Sequence, residues 1–173
     1  MEKPSFYILS GPCGCGKSTV SRLLCERLSP VYRIEGDALH DGFCEKDGVP
    51  WEKRLEITWE HIRLLASNAL SHGLNTVVDY VVEEELPELL ETVSEFSPEV
   101  YYIVLTASAE TLRERLLKRG DPDLTERSLF LRQKLMEENK GFLLETENKT
   151  PRELAEEILG NPRFRLPERR LGR

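Results

Sequence analysis

The chain is short of the residues and runs that mark several protein classes. No stretch of apolar residues approaches the roughly 18 needed to cross a bilayer, so no membrane partner is expected. Only four cysteines occur in 173 residues: Cys13, Cys15, Cys25 and Cys44. That density is too low for a secreted disulfide scaffold, and no Cys-x-x-Cys or Cys/His spacing suggests zinc, so they are expected to be free thiols. The opening Met1-Glu2-Lys3-Pro4 shows neither a basic region nor a small-residue cleavage site, which points to a cytoplasmic location. No internal repeat or low-complexity segment is present.

Positive charge is also in short supply, with Lys+Arg 24 against Asp+Glu 31 and a net charge of -7. Segment 161–173 holds Arg163, Arg165, Arg169, Arg170 and Arg173 against Glu168 alone, so the body over 1–160 is more acidic than the whole. An acidic body argues against a nucleic-acid partner. The basic tail over 161–173, interrupted by Pro162 and Pro167, reads as a solvated or edge-packing end. Hydrophobic residues at 39% and charged residues at 32% suit one soluble domain with a core of its own.

What is present is an alternation of short apolar runs and longer amphipathic stretches. Ser5 to Ser10, Val31 to Glu35, Thr76 to Val82, Val100 to Thr106 and Phe142 to Thr146 read as strands buried on both faces. Helical spacing marks Lys17 to Leu28, Trp51 to His72, Glu84 to Phe96, Ala109 to Arg119, Glu126 to Asn139 and Pro151 to Leu159. Thr150-Pro151-x-Glu153 predicts a capping box at the start of the last helix. The alternation predicts an α/β fold with a parallel five-stranded, doubly wound sheet.

Directly after the first strand stands Gly11-Pro12-Cys13-Gly14-Cys15-Gly16-Lys17-Ser18-Thr19, which fits Gly-x-x-x-x-Gly-Lys-[Ser/Thr] and opens a helix. Chance would place those fixed residues in about one chain in a hundred, and the strand before and helix after make this a P-loop. Its glycines let backbone N–H groups turn toward phosphate oxygens, and the helix start adds a positive dipole end. Lys17 is then placed to reach the β- and γ-phosphates, and the Ser18 hydroxyl to coordinate Mg²⁺. Cys13 and Cys15 fill free positions of the loop as small side chains. No Asp-x-x-Gly occurs, and Asn148-Lys149-Thr150-Pro151 carries proline where a guanine-reading carboxylate would stand, which excludes a GTPase switch. The size suits a small phosphotransferase.

With Gly36-Asp37-x-x-His40 after the second strand and Glu110-x-x-x-x-Arg115-Leu116-x-x-Arg119 after the fourth, the chain resembles the P-loop small-molecule kinases of the gluconate kinase and shikimate kinase group. The resemblance implies a nucleoside-monophosphate-kinase-like P-loop fold with a short lid. It implies a kinase domain over 1–160, an acceptor-binding region over about 37–72 and a lid over about 119–128. ATP and Mg²⁺ are its cofactors, and a small-molecule hydroxyl, with gluconate as one instance, is its acceptor. In that pattern Asp37 holds or deprotonates the acceptor hydroxyl, His40 contacts the acceptor, Arg115 stacks on adenine, and Arg119 and Arg127 clamp phosphates. Arg54 is placed to hold an anionic or polar acceptor. Val77-Val78-Asp79 has the form of a Walker B strand, giving Asp79 two readings: magnesium or substrate contact, or a buried carboxylate paired with an arginine. Asp41 stands where gluconate kinases carry proline, and Gly120-Asp121-Pro122 where their lid carries a His-Phe pair. Two other functions share the P-loop: a polynucleotide 5′-hydroxyl kinase, which needs a basic groove, and a nucleotide-binding regulator without transfer activity.

Overall fold

In the computed structural model, residues 3–44 and 48–167 are described. Five strands, β1 (Ser5–Ser10), β2 (Val31–Glu35), β3 (Asn75–Asp79), β4 (Glu99–Thr106) and β5 (Leu143–Glu145), form one sheet in the order β2-β3-β1-β4-β5. Every pairing is parallel. The helices are α1 (Lys17–Cys25), α2 (Gly36–His40), α3 (Trp51–Ser71), α4 (Leu86–Val93), α5 (Ala109–Arg119), α6 (Thr125–Glu138) and α7 (Pro151–Ile158).

Alternation along the strands divides the core in two. Phe6, Ile8, Ile34, Val78, Tyr102 and Val104 point to the face covered by α3, α4 and α6. Tyr7, Leu9, Val77, Tyr101, Ile103 and Leu105 point to the face covered by α1, α5 and α7. Strands buried on both sides lack a polar face, which is why they read as near-continuous apolar runs. The chain leaves β1 toward β2 and leaves β3 toward β4 on the opposite side. Winding therefore reverses between neighbouring strands, and a ligand crevice opens at their carboxyl ends.

Three local outcomes differ from the sequence expectations. Strand β3 stops at Asp79 rather than Val82, because the chain there leaves the sheet and the Val82 N–H is taken at 2.9 Å by the Ser10 hydroxyl. Helix α4 begins at Leu86 rather than Glu84, since the Glu85 carboxylate accepts the Glu83 and Glu84 N–H groups at 2.9 Å each and holds them outside the helix. The short helix α2 carries too few residues to show a period. At α7 the expected capping box is present: Thr150 N–H donates to Glu153 at 2.7 Å and Glu153 N–H donates to the Thr150 hydroxyl at 3.3 Å.

Strand β5 pairs only with Val104–Thr106, which leaves the first half of that edge of β4 open. Residues 165 and 166 cover it, through a bridge between Tyr101 and Arg165 and a 2.8 Å bond from Leu166 N–H to the Val100 carbonyl. Phe164 and Leu166 are buried, so the packed body continues past residue 160 and the start of the basic segment is an edge cover. Arg169, Arg170 and Arg173 lie outside the described residues. No helix among the described residues is long and apolar enough to cross a membrane.

Candidate active site

One cleft of about 740 Å³ opens at the carboxyl ends of β1 and β3. Its floor is the P-loop. Gly11 has φ +141°, and a Cβ there would meet the Leu105 carbonyl oxygen at 2.3 Å and Cys15 Sγ at 2.7 Å. Glycine is thus required where the loop presses on β4. Gly16, at φ +103°, faces open space and turns the loop into α1. Together they shape a cradle of inward backbone donors at a helix start, which suits a triphosphate.

Lys17 lies inside this cradle, 8% exposed. Its Nζ donates to the Gly11 carbonyl at 2.9 Å and to the Pro12 carbonyl at 3.3 Å, leaving one ammonium N–H for a phosphate oxygen. Burial works against its charge, while the acidic groups around it, Cys15 and Cys13 of the loop and then Asp79 and Asp37, work the other way and hold the amine above its usual range. Burial pushes the Cys15 thiol up, which makes it an inert wall of the loop. All four cysteines are free thiols. The Ser128 hydroxyl donates to the Cys13 carbonyl at 2.7 Å, tying α6 to the loop.

Of the residues singled out in the sequence, Cys13 to Thr19, Asp37, His40, Arg115, Arg119 and Arg127 all line the cleft. Gly11 and Pro12 support Lys17 from behind. Asp37 is the second residue of α2 and lines the cleft. The protein around it raises its carboxyl above the usual aspartate range, by desolvation first, with Asp79, Asp41 and Glu35 adding to the rise and Lys17 opposing it. His40 packs edge-on against Trp51, ring centroids 4.8 Å apart. Arg115 bonds inward, to the Thr146 hydroxyl at 2.9 Å and the Cys15 carbonyl at 3.4 Å. Arg119 pairs with Asp121, and Arg127 with Glu83, which Lys134 also reaches at 3.3 Å.

Arg54 and Asp79 do not reach the cleft wall. Asp79 is buried, 3% exposed, and its Oδ2 accepts the Ser21 hydroxyl at 2.9 Å and Arg33 Nη2 at 3.1 Å. The arginine pairing of Asp79 is present on Oδ2, where Ser21 also joins the carboxylate to α1 behind Ser18. The Arg54 guanidinium lies over the Trp51 ring at 5.4 Å. Its Nε and Nη1 are buried without hydrogen-bond partners among the described residues.

Sequence reasoning missed the wall built after β3 and β5. Tyr80, Val81, Glu83 and Glu85 line the cleft after β3, Thr146 and Lys149 line it after β5, and Trp59 joins them from α3. Their one signal is position, immediately past strand ends. The Tyr80 ring rests on the Gly36 backbone: a Cβ at Gly36 would lie 2.3 Å from Tyr80 Cγ and Cδ2. Gly36 is therefore a close-approach glycine that seats Asp37 beside this ring. Gly36→Ala is expected to cost about 1–3 kcal/mol of stability through overpacking and to slow transfer by displacing Asp37. Thermal denaturation and ADP release measure the two effects.

The residues present fit ATP and Mg²⁺. The cradle and Lys17 match a triphosphate, Ser18 supplies a hydroxyl at its mouth, and Mg²⁺ in such sites is carried largely by phosphate oxygens and water. Among the described residues no cluster of His, Cys, Asp and Glu forms a separate metal cage.

Comparison with known proteins agrees. The family described as "AAA domain" matches residues 8–146. The chain is 31% identical over 176 residues to a Thermococcus kodakarensis protein described as "Putative adenylate kinase", covering 95% of this chain and 88% of that one. It is 25% identical to the guanylate kinase of Helicobacter hepaticus, covering 72% and 71%. Among solved structures, the Deinococcus radiodurans tunicamycin resistance protein superposes with TM-score 0.65 at 18% identity, covering 92% and 95%. Shikimate kinase from Acinetobacter baumannii superposes with TM-score 0.58 at 20% identity, covering 90% of each chain. A chain of the Pnkp1/Rnl/Hen1 RNA repair complex shares the fold at TM-score 0.65 and 19% identity, and this protein spans 47% of it. The matching of the P-loop, the 2-3-1-4-5 sheet and most of the chain's length leads to one assignment: the protein belongs to the AAA domain family and is a P-loop kinase that uses ATP with Mg²⁺.

Proposed function

We propose that this kinase transfers the γ-phosphoryl group of ATP to a hydroxyl of a small molecule. The observation that carries this reading is Asp37, a carboxylate with a raised pKa that shares the cleft with Lys17. A hydroxyl acceptor must lose its proton as its oxygen joins phosphorus, and a carboxylate so placed can orient that O–H and take the proton. The bond from the γ-phosphorus to the bridging oxygen breaks, the bond to the acceptor oxygen forms, and ADP leaves. Lys17 and the loop amides stabilise the charge on the phosphates. Mg²⁺ supplies further charge neutralisation, with Ser18 as its ligand from the loop. Arg119 and Arg127 act as lid clamps once released from Asp121 and Glu83, and Arg115, backed by Thr146, borders the adenine. His40 and the α3 aromatics form the acceptor wall, within an acceptor region over about 37–72 and a lid over about 119–128.

A second reading is favoured by the relatives named as adenylate and guanylate kinases, whose acceptors are phosphates. Asp37 weighs against it, because a phosphate acceptor arrives already ionised and a carboxylate beside it repels. An ADP-release assay with Mg²⁺ and ATP separates the readings. Sugar acids, nucleosides, amino sugars and phenols stand on one side, AMP and GMP on a second, and a 5′-hydroxyl oligonucleotide, whose turnover alone would mark a polynucleotide kinase, on a third. The hydroxyl reading predicts turnover with a member of the first set. Turnover with AMP or GMP alone overturns it, and ATP binding with no release for any acceptor leaves a nucleotide-binding regulator.

A further inference from the structure

The cleft contains a polar side chain that the reading above does not use. Tyr80 is 7% exposed, yet it lines the cleft, and its hydroxyl makes no hydrogen bond among the described residues. Its ring is fixed on two sides, by the Gly36 backbone beneath it and by Trp59, with ring centroids 5.5 Å apart. A buried phenol ordinarily finds a partner for its O–H. Here the body of the side chain is held still, and its polar end is left for something that enters the cleft.

The groups that act on this phenol define what enters. Asp37 and Cys13 line the same cleft as Tyr80, and the ring rests on Gly36, the residue before Asp37, so phenol and carboxylate share this end of the cleft. Burial first, and then the nearby Asp37 and Glu85, hold the hydroxyl protonated, as a donor. Tyr80 and Asp37 are further locked to each other through Gly36, the residue before Asp37 on which the ring rests. An alcohol oxygen both donates and accepts. Asp37 can take its O–H, and Tyr80 can supply a hydrogen bond to its lone pair.

We propose that Tyr80 is an acceptor-positioning residue, its phenol donating to the same acceptor oxygen whose proton Asp37 receives, so that the pair selects a neutral hydroxyl as acceptor. This deepens the hydroxyl-kinase reading and rests on it. The donor aims a lone pair at the γ-phosphorus while the carboxylate draws the proton away along another direction. Phosphorus–oxygen bond formation and proton transfer remain as written above, with Tyr80 keeping its own proton throughout. A fully ionised phosphate oxygen satisfies Tyr80 but has nothing to give Asp37, which is how the pair discriminates.

Water is the simplest oxygen that fits the pair, and it serves as the probe. Single-turnover hydrolysis of γ-labelled ATP, with enzyme in excess and Mg²⁺ present, is compared for wild type and Tyr80→Phe. Phenylalanine keeps the ring on Gly36 and Trp59 and removes only the hydroxyl. Hydrolysis is expected to fall roughly tenfold, the loss of one hydrogen bond to the reacting oxygen, with ATP affinity and thermal midpoint unchanged. Wild-type and variant rates that coincide overturn the proposal. So does a parallel loss of ATP affinity or of thermal midpoint, which would make Tyr80 a packing residue. A wild-type rate equal to the enzyme-free blank also overturns it, because a donor and an acceptor set on one oxygen would orient water. The acceptor panel decides the hydroxyl-kinase reading separately: turnover with AMP alone defeats that reading, whereas an unchanged Tyr80→Phe rate defeats only the role of the phenol.

Discussion

Lys17→Ala is expected to lower phosphoryl transfer by roughly 10²–10³-fold, the cost of removing a preorganised charge from the transition state, while the chain stays folded. Lys17 is 8% exposed, and its ammonium is already oriented by the Gly11 and Pro12 carbonyls. It therefore needs no reorganisation when negative charge builds on the transferring group. Removing it leaves two carbonyl oxygens facing the triphosphate without an intervening cation, which repels the nucleotide as well as slowing the reaction. Both kcat and ATP affinity are expected to fall. Lys17→Arg is not expected to restore activity, because a planar guanidinium differs in shape and donor geometry from the compact ammonium that this enclosed position holds. Steady-state ADP release with each variant, alongside thermal denaturation, checks the outcome. Near wild-type transfer by Lys17→Ala would remove the P-loop lysine from the mechanism.

The nucleotide half of the site was legible in the sequence because a P-loop is a local object. Gly11, Gly16, Lys17 and Ser18 are fixed by backbone geometry within a few residues, so spacing alone identifies them. The sheet was legible for a related reason: strands buried on both faces cannot carry polar alternation. The proposed acceptor half is different, because it is assembled from segments that meet only through the strand order. Tyr80, Glu83 and Thr146 sit just past the ends of β3 and β5, and nothing local distinguishes them from ordinary loop residues. The arginines proposed for the lid were visible as residue types. Their partners were not, since Arg127 meets Glu83 across 44 residues of sequence. Asp79 shows the limit of a local pattern: the apolar run ending in aspartate is visible in the sequence, but that Arg33 and Ser21, brought from β2 and α1, meet its Oδ2 follows only from the fold.

Asp37→Asn is expected to reduce turnover by roughly 10²-fold or more, the scale of a lost general base, and to do so without loss of stability. The sign follows from the raised carboxyl. Its folded pKa lies above the unfolded value, so the folded state binds the proton more tightly, and ionised Asp37 opposes folding once pH exceeds the folded pKa. That opposition is relieved as pH falls through the folded pKa. Asparagine carries no charge and should leave the protein at least as stable as wild type at neutral pH. Catalysis runs the other way, because only ionised Asp37 can take a proton. The wild-type rate should fall as pH drops through a pKa above the usual aspartate range, and Asp37→Asn should lose that acid limb along with most of its rate. A residue that merely braced α2 would lose stability and keep the pH profile, so the two measurements together isolate the chemical role. Asp79→Asn provides the contrast: with its carboxylate committed to Arg33 and Ser21, its substitution should act on stability before turnover. If Asp37→Asn left turnover intact while Asp79→Asn abolished it, the acceptor carboxylate would belong to β3 rather than to the start of α2.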